Sequence, residues 1–235
     1  ALSTHSSANS LVTYIPTLSQ YLTLSDIISP LITTYLNLFQ FPTSNPFLTE
    51  NILEVRKNYL NELEKVSQGK PFVTDKMPQN FLHISILLKA LPEAKVIHVK
   101  RDPAATCWSN FKHYFSADGL GYSYDLKDTV NYFKLYQDLM DFWDQQYSDQ
   151  IYHLDYDKLT VEQEPETRKL IEYLELGWED DCLSPHKNKR SVRTASQQQV
   201  REKVYTGSSQ VWRKFEPYLN GVFDEFEHSS EQPPK

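Results

Sequence analysis

Glycine is scarce in this chain, six in 235 residues, and none occurs before Gly69. A glycine-rich loop that cradles phosphate therefore cannot lie within residues 1–68, and no G-x-x-x-x-G-K-[ST] pattern follows. Cysteine is scarcer still. Cys107 and Cys182 form neither a CxxC pair nor a His/Cys cluster, which argues against a zinc site or a disulfide framework and suits a reducing, cytoplasmic location. The seven histidines show no ligand spacing, so no metal is expected. No apolar run reaches about eighteen residues, so no membrane span is predicted. The opening ALSTHSSANS lacks a basic stretch followed by a cleavage site, and no secretory signal is expected. Basic residues are outnumbered, 24 Lys and Arg against 31 Asp and Glu, for a net charge of −7. A general nucleic-acid binder would be basic. A local basic cluster can still hold a small anion inside an acidic protein.

What is present is patterned. The length suits one domain or at most two, and aromatics are plentiful, with 15 Tyr, 12 Phe and 4 Trp. Residues 1–42 read as short helices broken at Pro16, Pro30 and Pro42. Asn51 to Ser67 reads as an amphipathic helix with Leu53, Leu60 and Leu63 on one side, stopped by Gly69. Phe72 to Asp75 reads as a short strand. Pro78 opens a helix with Phe81, Ile84, Leu87 and Leu88 inward, ended at Leu91-Pro92. Val96 to Val99 is a nearly continuous apolar run, as in a strand covered on both faces. Asp102 and Pro103 then supply the cap and first turn of another helix. After Gly119 and Gly121, Asp125 caps a long helix with Leu126, Val130, Phe133, Tyr136, Met140, Trp143 and Tyr147 on its buried stripe. Ile151 to Leu154 is a further strand, Pro165 to Leu176 a helix closed by Gly177, and Ser208 or Ser209 caps a last helix carrying Val211, Trp212, Phe215 and Leu219. Strands alternating with helices predict an α/β fold with a parallel sheet flanked by helices.

Ligands of open parallel sheets bind beyond the carboxyl ends of the strands. Lys76, Arg101 and Tyr156 each fall just past such an end. Arg101 stands where a helix begins, a place that favours anions, and its planar donors suit phosphate. Ser109, about two helical turns on, is placed to add a hydroxyl. Taken alone, these residues have plainer readings: a surface ion pair for Arg101, a solvated Ser109, an exposed loop lysine, and a core tyrosine with a wet hydroxyl. His98, within a strand, reads as a satisfied core histidine.

Four blocks in register narrow the choice. Lys95-Val96-Ile97-His98-Val99-Lys100-Arg101-Asp102-Pro103 with Ser109 resembles the 3′-phosphate-binding segment of sulfotransferases that use 3′-phosphoadenosine 5′-phosphosulfate (PAPS). Thr74-Asp75-Lys76-Met77-Pro78 with Leu91-Pro92-Glu93-Ala94-Lys95 is similar to the same family. So are Tyr156-Asp157-Lys158-Leu159 and the stretch from Arg193-Thr194-Ala195-Ser196 through Val200-Arg201, Tyr205, Ser208 and Trp212-Arg213. The resemblance covers roughly residues 70–220 and is nearest to the branch of tyrosylprotein sulfotransferases and of bacterial sulfotransferases joined to tetratricopeptide repeats. It implies a three-layer fold like that of P-loop NTPases. It implies that Arg101 and Ser109 hold the 3′-phosphate and Tyr156 lies near the adenine. Lys76 and Ser196 would meet the transferring sulfuryl group, and Arg193, Arg201, Tyr205 and Arg213 would belong to a segment covering the nucleotide. The implied partners are the nucleotide donor and a hydroxyl acceptor, with no metal; a homo-oligomer is compatible.

Two parts of the family pattern are missing. The glycine-rich loop and first strand should precede Ala1, and no acidic residue before Asp26 matches the family's glutamate. The expectation is a single, N-terminally incomplete sulfotransferase domain, impaired in transfer. Within it, residues 1–68 form a helical acceptor side, 69–220 the nucleotide-binding core and 228–235 a disordered tail. The alternative is a non-catalytic module for adenosine 3′,5′-bisphosphate. A helical interaction protein and a nucleoside kinase are weaker readings, the first because aromatic helices are explained by a core, the second because the kinase loop is absent.

Overall fold

The computed structural model describes residues 46–67, 69–115, 119–187 and 202–229. The expected helices within residues 1–42 lie outside these. Backbone contacts divide the chain into two compact units, residues 1–95 with 171–203 and residues 96–170 with 204–235.

In the first unit, α1 (Pro46–Ser67) packs on α2 (Ile84–Ala90). The buried face of α1 is Val55 and Tyr59, flanked by Ile52 and Leu63, against Ile86, Ala90 and Leu91. Leu53 and Leu60, expected inward, are exposed. Both stripes have helical spacing, and α2 decides between them by presenting Ile86 and Ala90 to the Val55 and Tyr59 face. Gly69, in the left-handed region at φ 73°, follows the helix as expected. Pro78 opens a 3-10 helix, Pro78–His83, that leads into α2.

The segment 72–75 is not a strand. It finds no ladder partner among the described residues, and Phe72 and Val73 are exposed. An apolar run without a neighbouring strand cannot satisfy its backbone as sheet. It is held from the side instead, where the buried Tyr59 hydroxyl donates to Asp75 Oδ2 at 2.8 Å.

The second unit holds the sheet. β1 (Val96–Lys100) and β2 (Ile151–Asp155) pair in parallel, joined through α3 (Pro103–Phe111) and α4 (Leu126–Tyr147). Asp102 caps α3, its side chain accepting from Ala105 N, and Pro103 opens it. Asp125 caps α4 by accepting from Lys127 N and Asp128 N. The core on α3 is Ala104, Ala105 and Cys107 against Val130, Trp212 and Phe223. Of the expected α4 stripe, Val130, Met140 and Trp143 are buried, joined by Thr129, whose hydroxyl donates to the carbonyls of Tyr122 and Asp125.

α5 (Tyr156–Val161) and α6 (Gln163–Tyr173) follow β2. α6 ends earlier than Gly177. Glu175 takes the left-handed position at φ 57°, Leu176 N donates to Ile171 O and Glu175 N to Glu172 O. This is a Schellman end, sealed by Ile171 and Leu176 in one apolar cluster. Lys95 supports the strained glutamate by binding Tyr173 O and Glu175 Oε1, both at 2.6 Å.

The helix expected after Ser208 is a 3-10 helix, Ser208–Tyr218, and its N-cap is Gly207 at φ 83°. Neither serine caps it. Pro217 lies inside, which suits 3-10 geometry better than a long α-helix. A short α7 (Asp224–Ser229) follows, a helix that the sequence pattern does not announce; residues 230–235 lie outside the described residues.

Candidate functional site

The parallel register pairs Val96 with Ile151 through Lys100 with Asp155. The next residues are Arg101 and Tyr156, so the ladder delivers these two side chains to the same carboxyl edge. Arg101 Cζ lies 5.3 Å from the centroid of the Tyr156 ring, within cation–π range. Its Nε donates to Ser209 Oγ at 3.0 Å, and Ser209 is buried. The two Nη groups remain as the fork that matches phosphate or carboxylate. Among the described residues no carboxylate forms an ion pair with Arg101.

The acidic neighbours are turned to backbone. Asp102 Oδ1 accepts from Ala105 N at 2.6 Å, Asp157 Oδ2 accepts from Asp102 N at 3.1 Å, and Asp155 Oδ1 accepts from Lys158 N at 3.0 Å. The hydrogen bond between Asp102 and Asp157 ties the exit of β1 to that of β2. These carboxylates serve helix N-termini, where their charge is favourable, and none of them forms an ion pair with the Arg101 guanidinium.

Ser109 sits on α3, half-buried. Tyr205 is exposed. Arg213 is engaged near its own position: Nε donates to Gln210 Oε1 at 2.9 Å, Cζ lies 4.7 Å from the Trp212 centroid, and Nη1 is 3.8 Å from Glu216. Lys76 belongs to the first unit, half-buried, and burial pushes its ammonium pKa below the ordinary lysine value. Arg193, Ser196 and Arg201 lie outside the described residues. The structure thus brings Arg101 and Tyr156 together and adds Ser209. Nothing local in the sequence distinguishes Ser209 from Ser208 for that task.

A second polar group lies within the sheet. His98 and His153 are register partners with their Nδ1 atoms 3.0 Å apart. His98 Nε2 hydrogen-bonds the Tyr136 hydroxyl, and His153 Nε2 lies 2.9 Å from Asp144 Oδ1. His98 is thus a partnered histidine, as expected. Burial, and then the neighbouring His153, push its pKa from 6.5 down to about 4. Among the described residues no cluster of three or more His, Cys, Asp or Glu could hold a metal, and no helix is long and apolar enough to cross a membrane.

Comparison with known proteins places these features. Residues 41–180 match the model of the sulfotransferase family. That span holds Lys76, Arg101, Ser109 and Tyr156; the stretch 193–213 lies beyond it. The chain is also 38% identical over 168 residues to an "Uncharacterized protein" of Aquifex aeolicus (strain VF5). That match covers 71% of this chain and 22% of the relative, so the chain spans only a minor part of the relative's length.

Proposed function

Because the chain belongs to the sulfotransferase family, we propose that it binds PAPS and serves transfer of the sulfuryl group to a hydroxyl acceptor. The observation that carries this reading is the Arg101 fork, held at the carboxyl edge of a parallel pair beside Tyr156 and unpaired by any described carboxylate. In this reading Arg101 grips the 3′-phosphate through its Nη groups, Ser109 adds a hydroxyl, and Tyr156 packs near the adenine. Lys76 and Ser196 meet the sulfuryl end, and Arg193, Arg201, Tyr205 and Arg213 belong to the covering segment. The mixed α/β fold, with a parallel pair flanked by helices, is consistent with that of sulfotransferases.

The donor supplies an activated sulfuryl group. The protein's share is placement and charge, as in phosphoryl transfer. Lys76 is suited to that share. Burial has removed water that would screen it, which lowers its pKa, and an anionic oxygen arriving beside it restores the cation's advantage. The buried, unpaired thiols of Cys107 and Cys182 suit a reducing compartment, and the reading places the protein in the cytoplasm. A binding-only module for adenosine 3′,5′-bisphosphate is the second reading. It is favoured by Arg101, Tyr156 and Ser209 lying together in one unit.

Calorimetric titration with adenosine 3′,5′-bisphosphate and adenosine 5′-phosphate tests the shared claim. The bisphosphate should bind more tightly, and Arg101→Ala should erase the difference, a loss of about tenfold or more for a charge-assisted pair. Equal binding of the two ligands by the unaltered chain would sink both readings. Turnover of PAPS then separates enzyme from module.

A further inference from the structure

Ser209 stands 108 positions from Arg101 in the chain, yet its Oγ accepts the Arg101 Nε proton at 3.0 Å. A guanidinium has three donor edges, and the Nε edge faces to one side of the side chain, in the plane of the group. Fixing that edge fixes the plane of the group and the direction of the Nη fork. The Tyr156 ring, 5.3 Å from Cζ, limits the plane from another side. We infer that Ser209 is a positioning residue that orients Arg101 toward the 3′-phosphate, an inference that rests on the reading of Arg101 given above.

Ser209 is built to stay in place. It is buried, two residues after Gly207, whose left-handed φ of 83° starts the 3-10 helix without any side-chain cap. The hydroxyl is therefore free for Arg101. Trp212 follows it and is buried against Ala104, Ala105 and Cys107 of α3. The helix that carries Ser209 is thus packed on the helix that Arg101 precedes, so the two partners share one rigid support. A preset guanidinium loses less side-chain freedom when a phosphate arrives, and that saving appears as affinity.

The test is a double-mutant cycle read by calorimetry on the full chain, with adenosine 3′,5′-bisphosphate and adenosine 5′-phosphate as probes. Ser209→Ala should weaken the bisphosphate about five- to tenfold and leave the monophosphate unchanged. In an Arg101→Lys background, which keeps the charge but has no Nε edge of this kind, Ser209→Ala should have no further effect. Equal weakening of both ligands would show a general packing role and overturn the inference. So would the same loss in the lysine background. If Arg101→Ala leaves bisphosphate affinity intact, the assignment of Arg101 itself fails, and that outcome is distinct from the other two.

Discussion

Asp102 offers a sharp test because one side chain carries two separable properties. Its Oδ1 accepts from Ala105 N at 2.6 Å and so caps α3. Its negative charge stands beside the arginine proposed to bind an anion. Asp102→Ala removes both. Loss of an N-cap costs about 1 kcal/mol, and for a chain of this size that lowers Tm by about 2–4 °C. Asp102→Asn keeps an oxygen acceptor that caps as well as aspartate, forfeiting only a charge–dipole contribution of about 0.3–1 kcal/mol. Its effect on ligand has the opposite sign. Two unit charges of like sign about 8 Å apart oppose each other by about 0.5 kcal/mol in water-like surroundings and by about 2 kcal/mol at an effective dielectric near 20. Asparagine should therefore tighten adenosine 3′,5′-bisphosphate roughly two- to thirtyfold, most strongly at low salt. Differential scanning calorimetry gives the stabilities and titration calorimetry the affinities. If Asp102→Asn binds the bisphosphate no better than the unaltered chain, no anion sits at the start of α3 and the reasoning fails. If Asp102→Ala melts with the unaltered chain, the cap contributes nothing.

Other expectations concern the scaffold. His98 titrates near 4 in the folded chain rather than at 6.5. Its contribution to stability is therefore present above about pH 6.5 and is lost as the pH falls toward 4. Denaturant titrations across that range should show the decline, and His98→Gln should flatten it; an imidazole seen by NMR to be charged at pH 6 would contradict this. Leu154, fully buried in β2, should cost about 2–5 kcal/mol when changed to alanine, with urea unfolding as the measure; a loss under about 1 kcal/mol would mean the strand is not packed as described. Glu175→Gly should stabilise the chain by up to about 1 kcal/mol. It relieves a left-handed residue, and the exposed pair with Lys95 is worth little. A drop in Tm would show that the pair outweighs the strain.

The elements legible in the sequence were those written in local chemistry. Asp102-Pro103 and Asp125 marked helix starts because a cap and a proline act on the backbone within one turn. Arg101 and Tyr156 could be foreseen as neighbours because parallel strands end together, whatever the connection between them. What needed a partner from elsewhere was not legible. The buried face of α1 is not legible because Leu53 and Leu60 share the helical period with Val55 and Tyr59, and only α2 decides between them. Phe72 to Asp75 had the composition of a strand but no neighbour to pair with. Gly177 is the natural end for α6, yet Glu175 takes the left-handed position, with Lys95 gripping both its carboxylate and the Tyr173 carbonyl. Ser209 was unreadable for the same reason, since its role lies in a contact across 108 positions.

That separation also governs the order in which the chain acquires its parts during synthesis. β1 must wait for β2 before the ladder can form, a pairing of high contact order and hence slow. The guanidinium fork must wait longer, until residue 209 has left the ribosome and its helix has docked on α3. A nascent chain halted after β2 would hold Arg101 and Tyr156 at one edge with the fork still swinging. On the proposed reading of Arg101, competence to discriminate a 3′-phosphate should emerge late, well after the sheet itself, and pulse-labelled chains of increasing length would reveal the interval.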